Sequence, residues 1–121
     1  MRLELCSISK HFGSLKANAG IDLVIGESEI HGVLGENGAG KSTLMKILSG
    51  FIQRTSGSIL LDGHPVAFAS PSEAVRAGIG MLYQDPLDFH QLSVLSNFMV
   101  GQSGSIRLDP QGCASRLQSL C

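Results

Sequence analysis

The sequence predicts an α/β fold with an antiparallel β portion, and three observations predict it. A glycine-rich stretch, "GENGAGKST" at 35–43, follows a short apolar run, "IHGVL", and opens into a segment with helical spacing. Near the N-terminus, "LELCSIS" alternates apolar and polar residues at period two, the mark of a half-buried strand. Further on, two apolar runs flank Asp62-Gly63 in "SGSILLDGHPVAF", the signature of a tight type I′ hairpin.

The elements follow in chain order. After the first strand, "KHFGSLKANAG" is polar and reads as a loop, "IDLVIG" as a second strand and "GESE" as a turn. The run at 30–34 is apolar and bounded by turn residues, which predicts a short buried strand. From Lys41 the spacing becomes helical: Leu44 with Leu48, and Ile47 with Phe51, are each four apart and share a face. Gly50 offers a left-handed stop. "SPSEAVRAG" predicts a capped helix with Ser70 as N-cap, Pro71 at N1, Glu73 at N3 and Gly78 as terminator. "IGMLYQ" predicts another buried strand and "LSVLSNFMVG" a short helix. "LDPQGCASRLQSLC" begins a helix capped by Asp109 with Pro110 at N1, weakened by about 1 kcal/mol at Gly112. The sequence carries no internal repeat, low-complexity tract or linker.

Composition bounds the partners. A chain of 121 residues suits one domain or part of one. At that size folding buries roughly 60–70% of the unfolded surface, enough for a core. The net charge of −1 supplies no global field to recruit nucleic acid. Cys6, Cys113 and Cys121 are widely spaced, without a CxxC pair, which argues against a disulfide framework or a zinc site and for reduced thiols. No apolar run approaches the roughly 20 residues needed to span a bilayer, and the first residues lack the apolar core of a signal peptide. Any link to a membrane is therefore expected through a partner.

The stretch at 35–43 carries the chemistry. Gly35, Gly40, Lys41 and Ser42 fit G-x-x-x-x-G-K-[ST], the phosphate-binding loop. Glycines let the backbone curl so that successive N–H groups converge as an anion nest, and the following helix adds its free N–H groups and the positive end of its dipole. Lys41 would reach the β- and γ-phosphates, and the Ser42 hydroxyl would bind Mg²⁺. The loop alone does not choose between ATP and GTP, or between hydrolysis and transfer.

These residues make the sequence resemble the ATP-binding subunits of ABC transporters. "GENGAGKSTLMKILSGF" is similar to their phosphate loop and helix, "SGSILLDGHPV" to the hairpin that follows, and "GIGMLYQDPLDFHQLSVLSNFMVG" to the segment holding the Q-loop glutamine, here Gln84. The resemblance runs from about residue 3 to about residue 104 and is strongest for importers of simple sugars and related nucleoside-type importers. It implies a phosphate-loop NTPase with a RecA-like core, present as an incomplete ABC nucleotide-binding domain. Residues 1–121 would be its N-terminal part, with a helical start at about 109–121 and the downstream half absent. The resemblance also assigns roles. Phe12 would stack on adenine; Asn37, Gly38, Ala39, Gly40, Lys41, Ser42 and Thr43, with Gly35, would contact the phosphates and magnesium; Gln84 would sense Mg²⁺ and the γ-phosphate. The implied cofactors are ATP and Mg²⁺. The implied partners are transmembrane permease subunits, a second nucleotide-binding domain and, in the complex, a solute-binding protein, with no nucleic acid. The implied location is the cytoplasmic face of the cell membrane. "DPLDFH" departs from the family wording just after Gln84.

Hydrolysis needs a further carboxylate for the Mg²⁺ shell and a residue that orients the attacking water. The family places these in a Walker B strand, a catalytic glutamate and an H-loop histidine, and adds an LSGGQ signature; the sequence contains none of them. "LSGF" at 48–51 imitates a signature and reads as a helix end, and "ILLD" at 59–62 imitates Walker B and reads as a hairpin turn. His11, His31, His64 and His90 show no ligand spacing, and Asp85 and Asp88 read as a solvated turn. The expected function is ATP binding and hydrolysis coupled to uptake of a small solute, a simple sugar or nucleoside. The alternative is a soluble ABC-type ATPase acting on ribosomes or nucleic acid, disfavoured by the near-neutral charge. A nucleotide kinase would need an arginine-rich lid, and the arginines here are scattered.

Overall fold

A computed structural model describes residues 1–83, 89–100 and 109–120. They divide into two compact units, Met1–Met81 and Leu82–Cys121. In the first, β1 (Leu3–Phe12), β2 (Leu15–Ile25), β3 (Ser56–Leu61) and β4 (His64–Val66) form one antiparallel sheet in the order β2-β1-β3-β4. Two helices accompany it, α1 (Lys41–Leu48) and α2 (Pro71–Arg76). The second unit carries α3 (Val94–Val100) and α4 (Pro110–Gln118).

The core joins α1 to the inward face of the sheet. Leu5 and Ile8 of β1, Ile59 of β3, and Leu44, Ile47 and Leu48 of α1 form one buried cluster, flanked by Leu3, Ile21, Leu23, Met45, Ile52 and Val66. Each fully buried Leu or Ile contributes on the order of 1.5–3 kcal/mol, so this cluster fixes how the helix seats on the strands. Phe51 departs from the expected helix face. It lies past the end of α1 and is exposed, because the chain turns before reaching it.

That turn is a Schellman closure: the Gly50 N–H donates to the Ile47 carbonyl and the Phe51 N–H to the Lys46 carbonyl. "LSGF" is thus a helix end. The β3–β4 loop is the expected type I′ turn, with Asp62 and Gly63 at φ 49° and 78°. Its carboxylate is committed to the fold, since Asp62 Oδ1 accepts from the Arg2 N–H at 2.6 Å. α2 starts at Pro71 after Ser70 as predicted, but the cap forms differently. The Ser70 side chain makes no capping bond, whereas Glu73 Oε2 accepts from the Ala69 N–H at 2.8 Å. α4 has its expected Asp109 cap, which accepts from the Gly112 N–H. In α3, Asn97 does more than the sequence suggested. Its Oδ1 accepts from the Phe89 N–H, and its Nδ2 donates to the carbonyls of Phe89, Leu92 and Ser93.

Three expectations are corrected. The segment at 10–20 is not a loop: β1 runs to Phe12, β2 starts at Leu15, and Gly13 and Ser14 alone form the turn. Its polarity reflects exposure on a twisted hairpin, not irregular backbone. The runs at 30–34 and 79–83 are not strands; Ile30, Leu34 and Leu82 are almost fully exposed. A strand needs a neighbour to satisfy its N–H and C=O groups, and none pairs with either run among the described residues.

Candidate functional site

The loop at 35–43 is built where β2 and α1 meet. The apolar periodicity of α1 anchors the helix in the core, so its N-terminus is fixed in place. No side chain caps that end and no acidic residue occupies the first turn, leaving the first N–H groups and the dipole available to an anion. Gly40, the N-cap residue, is left-handed at φ 81°, and a Cβ there would overlap the Ala17 carbonyl oxygen of β2. Only glycine fits this backbone-to-backbone approach. Gly38 is likewise at φ 86°, and the Ala39 N–H closes a turn onto the Glu36 carbonyl at 3.2 Å.

Lys41 folds back over the loop that precedes it. Its Nζ donates to the carbonyl oxygens of Gly35, at 2.6 Å, and Glu36, at 2.8 Å. The one ammonium of the motif therefore stands over the mouth of the loop, held by two neutral acceptors. An incoming phosphate offers it a charged acceptor, and charge-assisted hydrogen bonds are roughly twice as strong as neutral ones. Asn37, Gly38, Ala39 and Ser42 are exposed around it, and Thr43 is half-buried. Ahead of the loop, the Glu29 carboxyl is held below the usual carboxylate range, first by the Gly26 N–H at 2.7 Å and then by His31 Nε2 at 2.8 Å.

The described residues contain no cluster of three His, Cys, Asp or Glu side chains able to hold a metal alone. Ser42 offers one neutral exposed oxygen at the head of α1. That donor set fits Mg²⁺ arriving with phosphates, because this ion keeps several waters and takes few protein ligands. Phe12 ends β1 in the same β1–β2 hairpin whose Ala17 supports Gly40. Half of its surface is exposed, and Lys10 Nζ lies 4.9 Å from its ring centroid. Gln84, with Asp85 and Asp88, lies outside the described residues. Asn18, which sequence reasoning passed over, donates from Nδ2 to the Gly40 carbonyl at 3.2 Å from a buried position.

A sequence profile described as ABC transporter matches residues 19–120. The chain is 41% identical, over 102 residues, to the ribose import ATP-binding protein RbsA of Lacticaseibacillus paracasei, covering 84% of this chain and 20% of that protein. It is 41% identical to the arabinose import ATP-binding protein AraG of Vibrio parahaemolyticus over 120 residues, covering 96% of this chain and 24% of the relative. The chain thus spans about a fifth to a quarter of the length of these relatives. Among solved structures, a nucleotide-free ATP-binding cassette from an ABC transporter superposes with a TM-score of 0.77 at 26% identity, covering 96% of this chain and 46% of that one.

Proposed function

The chain belongs to the ABC transporter family, and from that premise we propose that it is the ATP-binding component of an importer for a small solute, a simple sugar or nucleoside. The observation that carries the reading is Lys41 Nζ poised over the Gly35–Glu36 carbonyls at the head of a helix with an uncapped N-terminus. The kinship to ribose and arabinose import proteins supports the cargo class.

In this reading the loop N–H groups receive the β-phosphate and the head of α1 adds its dipole. Lys41 exchanges its two carbonyl acceptors for β- and γ-phosphate oxygens. The Ser42 hydroxyl would hold Mg²⁺ arriving with the nucleotide, and the ion would supply charge neutralisation for the phosphates. Phe12 offers its ring to the adenine. Gln84 senses the γ-phosphate and connects the site to permease subunits. A second nucleotide-binding domain completes the closed state, and a solute-binding protein delivers cargo outside. The protein works at the cytoplasmic face of the membrane, held there through the permease.

Uptake of radiolabelled ribose, arabinose and nucleosides by cells carrying the full gene product tests the proposal. One of these should accumulate in an energy-dependent way and fail to do so in a Lys41→Ala strain. Uptake of all of them at equal rates in both strains would contradict the importer assignment.

A further inference from the structure

Asn18 is a polar side chain that is 5% exposed in a sheet whose other inward positions are mainly aliphatic. Its burial comes from a break in the strand. Ile21, Leu23 and Ile25 keep the inward alternation of β2, but Gly20 is left-handed at φ 62° and the β1 register shifts beside it. The phase slips by one residue, and Asn18 turns inward under the phosphate loop.

There its amide has one partner. Nδ2 donates to the Gly40 carbonyl at 3.2 Å, and Oδ1 is buried with no hydrogen-bond partner. The amide cannot be turned over, since that would set Oδ1 against the Gly40 oxygen. An orphaned buried acceptor is costly and a leucine would avoid it, so stability does not account for an asparagine here.

The Gly40 oxygen also accepts the Leu44 N–H, at 2.9 Å, the first helical hydrogen bond of α1. Its two lone pairs are thereby both used, and the plane of the peptide joining Gly40 to Lys41 is fixed. In a trans peptide the N–H points opposite to the C=O. Holding the Gly40 carbonyl toward Asn18 and α1 therefore aims the Lys41 N–H away from them, toward the loop.

We propose that Asn18 is a positioning residue for phosphate binding: through Gly40 it sets the orientation of the Lys41 N–H before any nucleotide arrives. The inference rests on the phosphate-loop reading of residues 35–43. Asn18 touches no phosphate and acts through one peptide plane.

The test uses the full chain with inorganic triphosphate as the probe, which removes any contribution from the base. Wild type, Asn18→Leu and Asn18→Ala are titrated calorimetrically, and their thermal midpoints and the amide exchange of Leu44 are measured alongside. Both variants lose the donor, but only Asn18→Ala leaves a cavity. The expected result is a similar loss of affinity in both, about fivefold to tenfold, and faster Leu44 exchange in both, although their midpoints differ. Affinity that is unchanged in Asn18→Leu, or that falls only in whichever variant is less stable, overturns the inference while leaving the phosphate loop standing. Wild type that binds no triphosphate overturns the phosphate-loop reading and the inference together.

Discussion

Lys41 Nζ lies 2.6 Å from the carbonyl oxygen of Gly35, six residues earlier in the chain. The contact closes the loop on itself and keeps the ammonium where a phosphate would meet it. Because the carbonyls it holds are neutral, a phosphate oxygen at the same place would be the stronger acceptor in the proposed reading.

The fit between Gly40 and β2 predicts an intolerance to even one methyl group. Gly40→Ala places a Cβ on the Ala17 carbonyl oxygen and forces a side chain into a left-handed backbone. Stability should fall on the order of 1–3 kcal/mol, with triphosphate binding lost. Denaturant midpoints and a triphosphate titration read both effects; a variant with unchanged midpoint and affinity would show that the close approach is not needed.

In the proposed reading Phe12 acts on the base and the loop on the phosphates, so the two should separate. Phe12→Ala should weaken ATP about fivefold, the equivalent of roughly 1 kcal/mol of stacking, with inorganic triphosphate nearly unaffected. A parallel loss for both ligands would assign Phe12 a packing role in the β1–β2 hairpin.

Asn97 clasps the residues leading into α3 through four hydrogen bonds to Phe89, Leu92 and Ser93. Asn97→Ala should loosen that turn by about 1–2 kcal/mol. Hydrogen exchange at the Phe89 amide should quicken. Exchange as slow as in wild type would mean that backbone packing alone holds the turn.

Residues 1–121 by themselves should release phosphate from Mg-ATP no faster than their Lys41→Ala variant. Positioning and charge stabilisation supply nearly all phosphoryl-transfer catalysis, and the described residues contain no cluster of three His, Cys, Asp or Glu side chains able to hold the metal. Multiple turnovers above that background would place the hydrolytic machinery within this stretch.

The residues that carry short-range physics were legible in the sequence. The loop at 35–43, the Leu44–Leu48 face of α1, the Asp62-Gly63 hairpin and the Asp109 cap are all set by spacings of a few residues, and each forms. What depends on distant neighbours was not. Ile30 and Leu34 read as a strand because they are apolar, but strand formation is decided by pairing that lies elsewhere in the chain. Residues 10–20 read as a loop because they are polar, yet a hairpin strand on the surface is equally polar. Asn18 was passed over: its burial follows from the left-handed backbone at Gly20, the register shift beside it and its contact with Gly40, 22 residues away. Glycine at 20 inside an otherwise alternating strand was the one signal that could have flagged the slip.

The central claim is that Lys41 binds nucleotide phosphate, and a calorimetric titration of Mg-ATP into wild type and Lys41→Ala tests it most directly. Removing the ammonium forfeits a charge-assisted contact of about 1.5–3 kcal/mol, so affinity should fall roughly tenfold to a hundredfold. Equal ATP affinity in the two proteins would contradict the phosphate-loop assignment and the function built on it.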